Sequence, residues 1–145
     1  MTIHTGSFGD CSWSVITGRL EDRDIGRFVA HIRAIGRSGK PTTVIDIAHS
    51  VSLPNPLQRE QIIDAVGSIE HKQLVLGHAV VTNTAVARGV LQVVNWFVPP
   101  AFPERVFRSP GEALDWLGRQ CPDLDGDGLL ADIERTVRSF ASLRW

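Results

Sequence analysis

Lys40-Pro41-Thr42-Thr43-Val44-Ile45-Asp46-Ile47-Ala48 opens the stretch that decides the fold, residues 40–117. Lys40-Pro41 forces extension. The run 42–48 is β-branched and nearly continuous, as in a strand buried on both faces. A polar loop, 49–55, follows, and Pro56 suits the first turn of a helix. That helix carries Ile62, Ile63, Val66 and Ile69 at helical spacing. Residues 74–82 form the next buried strand. Asn83 or Thr84 caps a helix to Phe97, which Pro99-Pro100 ends. Residues 105–108 make a short strand, and Ser109-Pro110-Gly111-Glu112 starts a helix through Gln120. Strands separated by helices of this length are parallel neighbours with crossover connections.

Working outward, residues 2–8 and 11–19 read as a strand pair around the turn Gly9-Asp10. A helix capped by Asp22 or Asp24 follows, with Ile25, Phe28, Val29, Ile32 and Ile35 as its apolar stripe. Gly36 and Gly39 stop it. After Cys121, the tail 129–143 shows Leu130, Ile133, Val137 and Phe140 at helical spacing. The expected fold class is therefore α/β: a mixed sheet with crossover helices plus an extra C-terminal helix. The division is a domain over 1–121 and a loop and amphipathic helix over 122–145, packed on the domain or extending it.

The chain has 145 residues, enough for one domain with a real core. Its net charge of −1 attracts neither nucleic acid nor anionic membrane, and gives little protection against self-association, so a homodimer stays open. Cys11 and Cys121 are far apart and form no CxxC pair, which fits free thiols in a reducing compartment. No leader pattern is visible, and the apolar run 85–98 is too short to span a bilayer. The expected setting is the cytoplasm, with no transmembrane segment.

Three places resemble the SpoIIAA-like branch of the STAS superfamily, the anti-sigma-factor antagonists and their relatives. Val15-Ile16-Thr17-Gly18-Arg19-Leu20 is similar to the family's strand before its first helix. Thr43-Val44-Ile45-Asp46-Ile47-Ala48 is similar to its central strand. His78-Ala79-Val80-Val81, then Arg105-Val106-Phe107, then Glu112-Ala113-Leu114 with Trp116-Leu117, are similar to its later strands and last helix. Element order carries the likeness over about four-fifths of the chain. The resemblance implies a non-catalytic regulatory module that works by binding another protein. It places the partner surface on Asp46, His49, Ser50, Ser52, Asn55, Gln58 and Arg59. Family members that are phosphorylated carry Asp-Ser-Ser-Gly at a fixed distance after the central Asp. Here Pro54-Asn55-Pro56-Leu57 stands at that distance, and neither Asn55 nor Pro56 can take a phosphoryl group. Ser50 and Ser52 lie nearby in the same loop.

Asp123-Leu124-Asp125-Gly126-Asp127-Gly128-Leu129-Leu130-Ala131-Asp132-Ile133-Glu134 fits the calcium-loop spacing at every constrained position. On that reading Asp123, Asp125, Asp127 and Glu134 supply carboxylates and Leu129 its carbonyl to Ca²⁺. The other reading is an interhelix turn with Asp127 capping the last helix. No cofactor is required by either.

Polar groups gather where the central strands end: Asp46, His49, Ser50 and Ser52, then Thr82, Asn83 and Thr84. An enzyme reading would make His49 a base and Ser50 or Ser52 a nucleophile, but no spacing fixes a triad, and capping roles suffice. His31 reads as surface, and His78 as a satisfied, semi-buried strand residue. Val86, Val90, Leu91, Val93, Val94, Trp96 and Phe97 wrap most of their helix, and 98–102 prolong the apolar surface. Either the C-terminal tail covers this surface, or it meets a partner, a lipid or a small apolar ligand.

Overall fold

Five strands form one sheet in the order of the chain: β1 (Ile3–Phe8), β2 (Cys11–Thr17), β3 (Thr42–His49), β4 (Val75–Thr82) and β5 (Glu104–Phe107). The computed structural model describes residues 3–145, so Thr2, expected in the first strand, lies outside the described residues. β1 and β2 are antiparallel, and every later neighbour is parallel. Gly9 makes the turn between β1 and β2 at φ 56°, a conformation that costs glycine nothing.

The crossovers are α1 (Asp22–Arg37), α2 (Pro56–Gly67) and α3 (Ala85–Phe97). Strands laid down in sequential order with right-handed crossovers put all three helices on one face. α4 (Pro110–Gln120) and α5 (Gly126–Thr136) cover the other. Local chemistry sets the helix starts. Asp24 Oδ2 accepts the Glu21 amide at 2.9 Å, and Asn55 and Gln58 exchange side-chain and backbone bonds of 2.8 and 3.0 Å.

The two faces pack differently. On the α4/α5 side, Trp13, Val15, Ile45, Ile47, Ala79 and Val81 join the buried helix residues in one continuous cluster. The tail belongs to it: Leu129, Ile133, Val137 and Phe140 are all buried there. Trp13 Nε1 donates to Asp132 Oδ2 at 3.1 Å and ties α5 to β2. On the other side, Ile25, Ile32, Ile62, Ala65 and Val94 cluster among the helices alone. The sheet residues opposite them belong to neither cluster.

Several expectations change. The tail is not one helix over 129–143. Asp125 caps it, accepting the Gly128 amide at 2.9 Å, so it begins at Gly126. It ends at Thr136, and Val137 leaves helical geometry before a short 3-10 turn at Phe140–Ser142. The tail does not cover α3, because it sits on the opposite face of the sheet. Trp96 and Phe97 are accordingly left 85% and 70% exposed. His31 is not a surface residue: its Nε2 is buried and has no hydrogen-bond partner.

Candidate functional site

A row of polar side chains crosses the α1–α3 face of the sheet. Side chains alternate along a strand, so Ser14 on β2, Asp46 on β3, His78 on β4 and Glu104 on β5 all point the same way. The register brings them together. Ser14 pairs with Asp46, His78 pairs with Glu104, and Asp46 is diagonal to His78 because Val44 stands opposite it. Ser14 Oγ donates to Asp46 Oδ1 at 2.5 Å. His78 Nε2 meets Asp46 Oδ2 at 2.7 Å, and its Nδ1 meets Glu104 Oε2 at 2.7 Å. Asn95 Nδ2, from α3, donates to Glu104 Oε1 at 2.7 Å and links the row to the helix layer.

These groups fix one another's charge. Burial pushes His78 toward its neutral form, but hydrogen bonds to Asp46 and Glu104, with their charges, outweigh it and raise its pKa to about 10. Burial pushes both carboxyls up, and their bonds to His78 outweigh that and hold them below their ordinary values. At neutral pH the row is one imidazolium between two carboxylates, with net charge −1. Both His78 nitrogens are engaged, so neither is free to take a proton from a substrate.

Above this row the two layers stand apart. A cavity of about 170 Å³ lies between the sheet and α1–α3. Its floor is Val44, Ala48 and Val80 with Asp46, His78 and Glu104, and its roof includes Phe28, Ile32 and Val90. Almost all of its wall is apolar carbon; Asp46, His78, Glu104 and Asn95 are its polar patch, with Asp24 and Lys72 among the other lining residues. Burial of the imidazole lowers the pKa of nearby His31, and the charge of Asp46 pulls it the other way.

Apart from Arg59, the residues expected on a partner surface make structural contacts here. Asp46 faces the cavity, not the loop after β3. His49 Nε2 lies 2.8 Å from the Arg144 carbonyl and so carries the proton, while the Trp145 ring stands edge-on at 5.0 Å. Ser50, at φ 51°, receives the Asn83 side chain on both its amide and its hydroxyl. Ser52 Oγ accepts the Leu20 amide at 3.2 Å. Asn55 caps α2, and Gln58 is buried with its amide on Asp22 Oδ1 at 2.8 Å. Arg59 is half-buried at the start of α2. The arrangement offers no base beside a serine: His49 is engaged by the backbone, and Ser50 and Ser52 by chain-positioning bonds.

The geometry gives the calcium loop no support. Asp127, Gly128, Leu129 and Glu134 are helical, so the Leu129 carbonyl is turned into the helix. Glu134 stands two turns along from the capping Asp125 and cannot converge with Asp123, Asp125 and Asp127 on one ion. Among the described residues, no cluster of three or more His, Cys, Asp or Glu side chains is arranged to hold a metal. Cys11 and Cys121 are free thiols, and burial pushes Cys11 up to about 11. No helix among the described residues is long and apolar enough to cross a membrane.

Nothing in the residue pattern announces the cavity and its polar row as a unit. The one signal is the placing of Asp46 and His78 inside otherwise apolar strands.

Neither protein-family models nor curated proteins match the sequence. Among solved structures, the chain is similar to an uncharacterised protein of the DUF3478 family from Shewanella loihica PV-4, described as having a SpoIIAA-like fold. The TM-score is 0.53 at 15% identity, over 80% of this chain and 94% of that one. That likeness and the five-stranded mixed sheet with its flanking helices show the same thing: this chain has a SpoIIAA-like α/β fold.

Proposed function

We propose that this protein is a binding module for a small apolar molecule, held between the sheet and helices α1–α3. The observation that carries the reading is the gap itself. Val44, Ala48 and Val80 on one side and Phe28, Ile32 and Val90 on the other face each other across unfilled space, while the opposite face of the sheet is closely packed. An apolar molecule seated between these walls removes both of them from water, a favourable change. Apolar cavities of similar size accept benzene-sized rings. A ligand that binds only the folded chain raises its stability.

Thermal unfolding with toluene tests it. Saturating toluene raises the midpoint of the native chain and leaves an Ala48→Phe variant, whose ring fills the cavity, unmoved. An unchanged midpoint in the native chain contradicts the reading.

A second reading, partner binding, rests on a separate observation. Leu53 and Leu57 are large, exposed apolar side chains beside Asn55, on the surface that the SpoIIAA-like resemblance implies. Replacing both with Ser should abolish capture of a partner without lowering the melting midpoint. Retained capture removes that surface from consideration.

A further inference from the structure

The cavity has a chemical polarity that narrows what it takes. Its polar patch consists of the two carboxylates that hold His78, and every one of their oxygens faces a donor. Asp46 accepts from Ser14 and His78, and Glu104 from His78 and Asn95. A carboxylate offers about four acceptor positions, so each has about two unused. Both residues line the cavity. Most of the donors around them are spent; the second N–H of Asn95 Nδ2 is the exception. Both His78 nitrogens point at carboxylates, and the first N–H of Asn95 is committed to Glu104.

What the patch presents to a ligand is therefore unused acceptor capacity and one net negative charge. The walls around it are apolar, and a low-dielectric surround strengthens the attraction for a positive group and the repulsion of a negative one. The other charged and titratable groups in reach are Asp24 and Lys72, which line the cavity, and His31, which is close enough to Asp46 to feel its charge. Asp24 Oδ2 is turned to the Glu21 amide at the start of α1. Lys72 precedes β4, whereas Asp46 lies in the middle of its strand.

We infer that the ligand is an apolar molecule with a primary amine head, its ring or chain lying between the sheet and α1–α3 and its ammonium at the Asp46–Glu104 carboxylates. The inference rests on the ligand-binding reading above and adds the head group to it. An ammonium brings three donors and no acceptor, which is the complement of this patch. A carboxylate or phosphate head brings only acceptors and meets the same sign of charge.

Three probes of one ring size separate the two claims: toluene, benzylamine and benzoate, titrated by calorimetry at pH 7. Toluene reports the cavity alone. Benzylamine should bind about tenfold or more tightly than benzoate, and Glu104→Gln should narrow that ratio by about tenfold, with toluene affinity measured in the same variant to correct for any change in the cavity itself. Asp46→Asn should act in the same direction. Equal binding of benzylamine and benzoate, with toluene bound, overturns the amine inference and leaves the cavity reading standing. Benzoate binding best, and losing its affinity in Lys72→Met, also overturns it and assigns the head to Lys72. If none of the three binds, both claims fall. A readout on the native chain needs no variant: benzylamine, and not toluene, should shift the His78 ring nitrogen resonances.

Discussion

His78 Nε2 stands 2.7 Å from Asp46 Oδ2, across two parallel strands and on the face of the sheet that closes only loosely against its helices. With Glu104 on its other nitrogen, His78 is the cation that allows two carboxylates to share a largely buried wall. Removing it leaves those two charges facing each other. His78→Phe should therefore cost roughly 3–5 kcal/mol at pH 7, as for other broken buried pairs. Urea unfolding measures it; a cost under about 1 kcal/mol would mean that the row is not ionised as described.

The ionisation sets a pH dependence. His78 is raised from 6.5 to about 10, so its contribution is complete below 6.5 and is lost as pH rises toward 10. Asp46 and Glu104 are lowered from 3.8 and 4.5, so their contribution is complete above those values and is lost as pH falls through the lower folded ones. The row stabilises most between about 4.5 and 6.5. Half-buried His31, lowered from 6.5, opposes it at the acid end. Unfolding free energy should fall from pH 6.5 to 8.5, a window below the range in which the raised Cys11 thiol also penalises the fold. In nitrogen NMR both His78 ring nitrogens should remain protonated at pH 8. A neutral ring at that pH contradicts the assignment.

Gly6 on β1 lies over the indole of Trp13. A Cβ there would stand 2.5 Å from Trp13 Cζ2, too close without a shift of a fully buried ring. Gly6→Ala should destabilise the chain by about 1–3 kcal/mol. Pairing it with Trp13→Leu should recover part of that loss, and strict additivity of the two would contradict a steric cause.

The tail is a part of the core. Ile133→Ala should cost about 2–5 kcal/mol in urea unfolding, because Ile133 is buried in the same cluster as Ile45 and Ile47. Calcium added to chelator-treated protein should change neither the midpoint nor the heat. A saturable response lost in Glu134→Gln would contradict the capped-helix account of 126–136.

Sequence and structure agree most closely where one physical rule acts alone. Thr42–His49 reads as a buried parallel strand because nearly every position is apolar or β-branched, and it is one. Pro56 after Asn55 marks a helix start that the capping bonds confirm. The tail misleads because Leu130, Ile133, Val137 and Phe140 keep helical spacing across a break, and all of them still face the core. The aspartates of 123–127 satisfy a metal-loop spacing, yet Asp125 is used as a helix cap. The polar row was out of reach because Asp46, His78 and Glu104 are separated by 32 and 26 residues and meet only through strand register. The gap above them was illegible for a related reason. Apolar stripes announce which faces turn inward and say nothing of how closely two layers approach.

The most direct test of a ligand space between the layers is methyl NMR of the native chain with benzene added. The account predicts saturable shifts and benzene-to-methyl Overhauser contacts at Val44 and Val80 on the sheet and at Ile32 and Val90 on the helices, from one bound ring. Contacts confined to the exposed Trp96, Phe97, Leu53 or Leu57, or no contacts at any concentration, would contradict it.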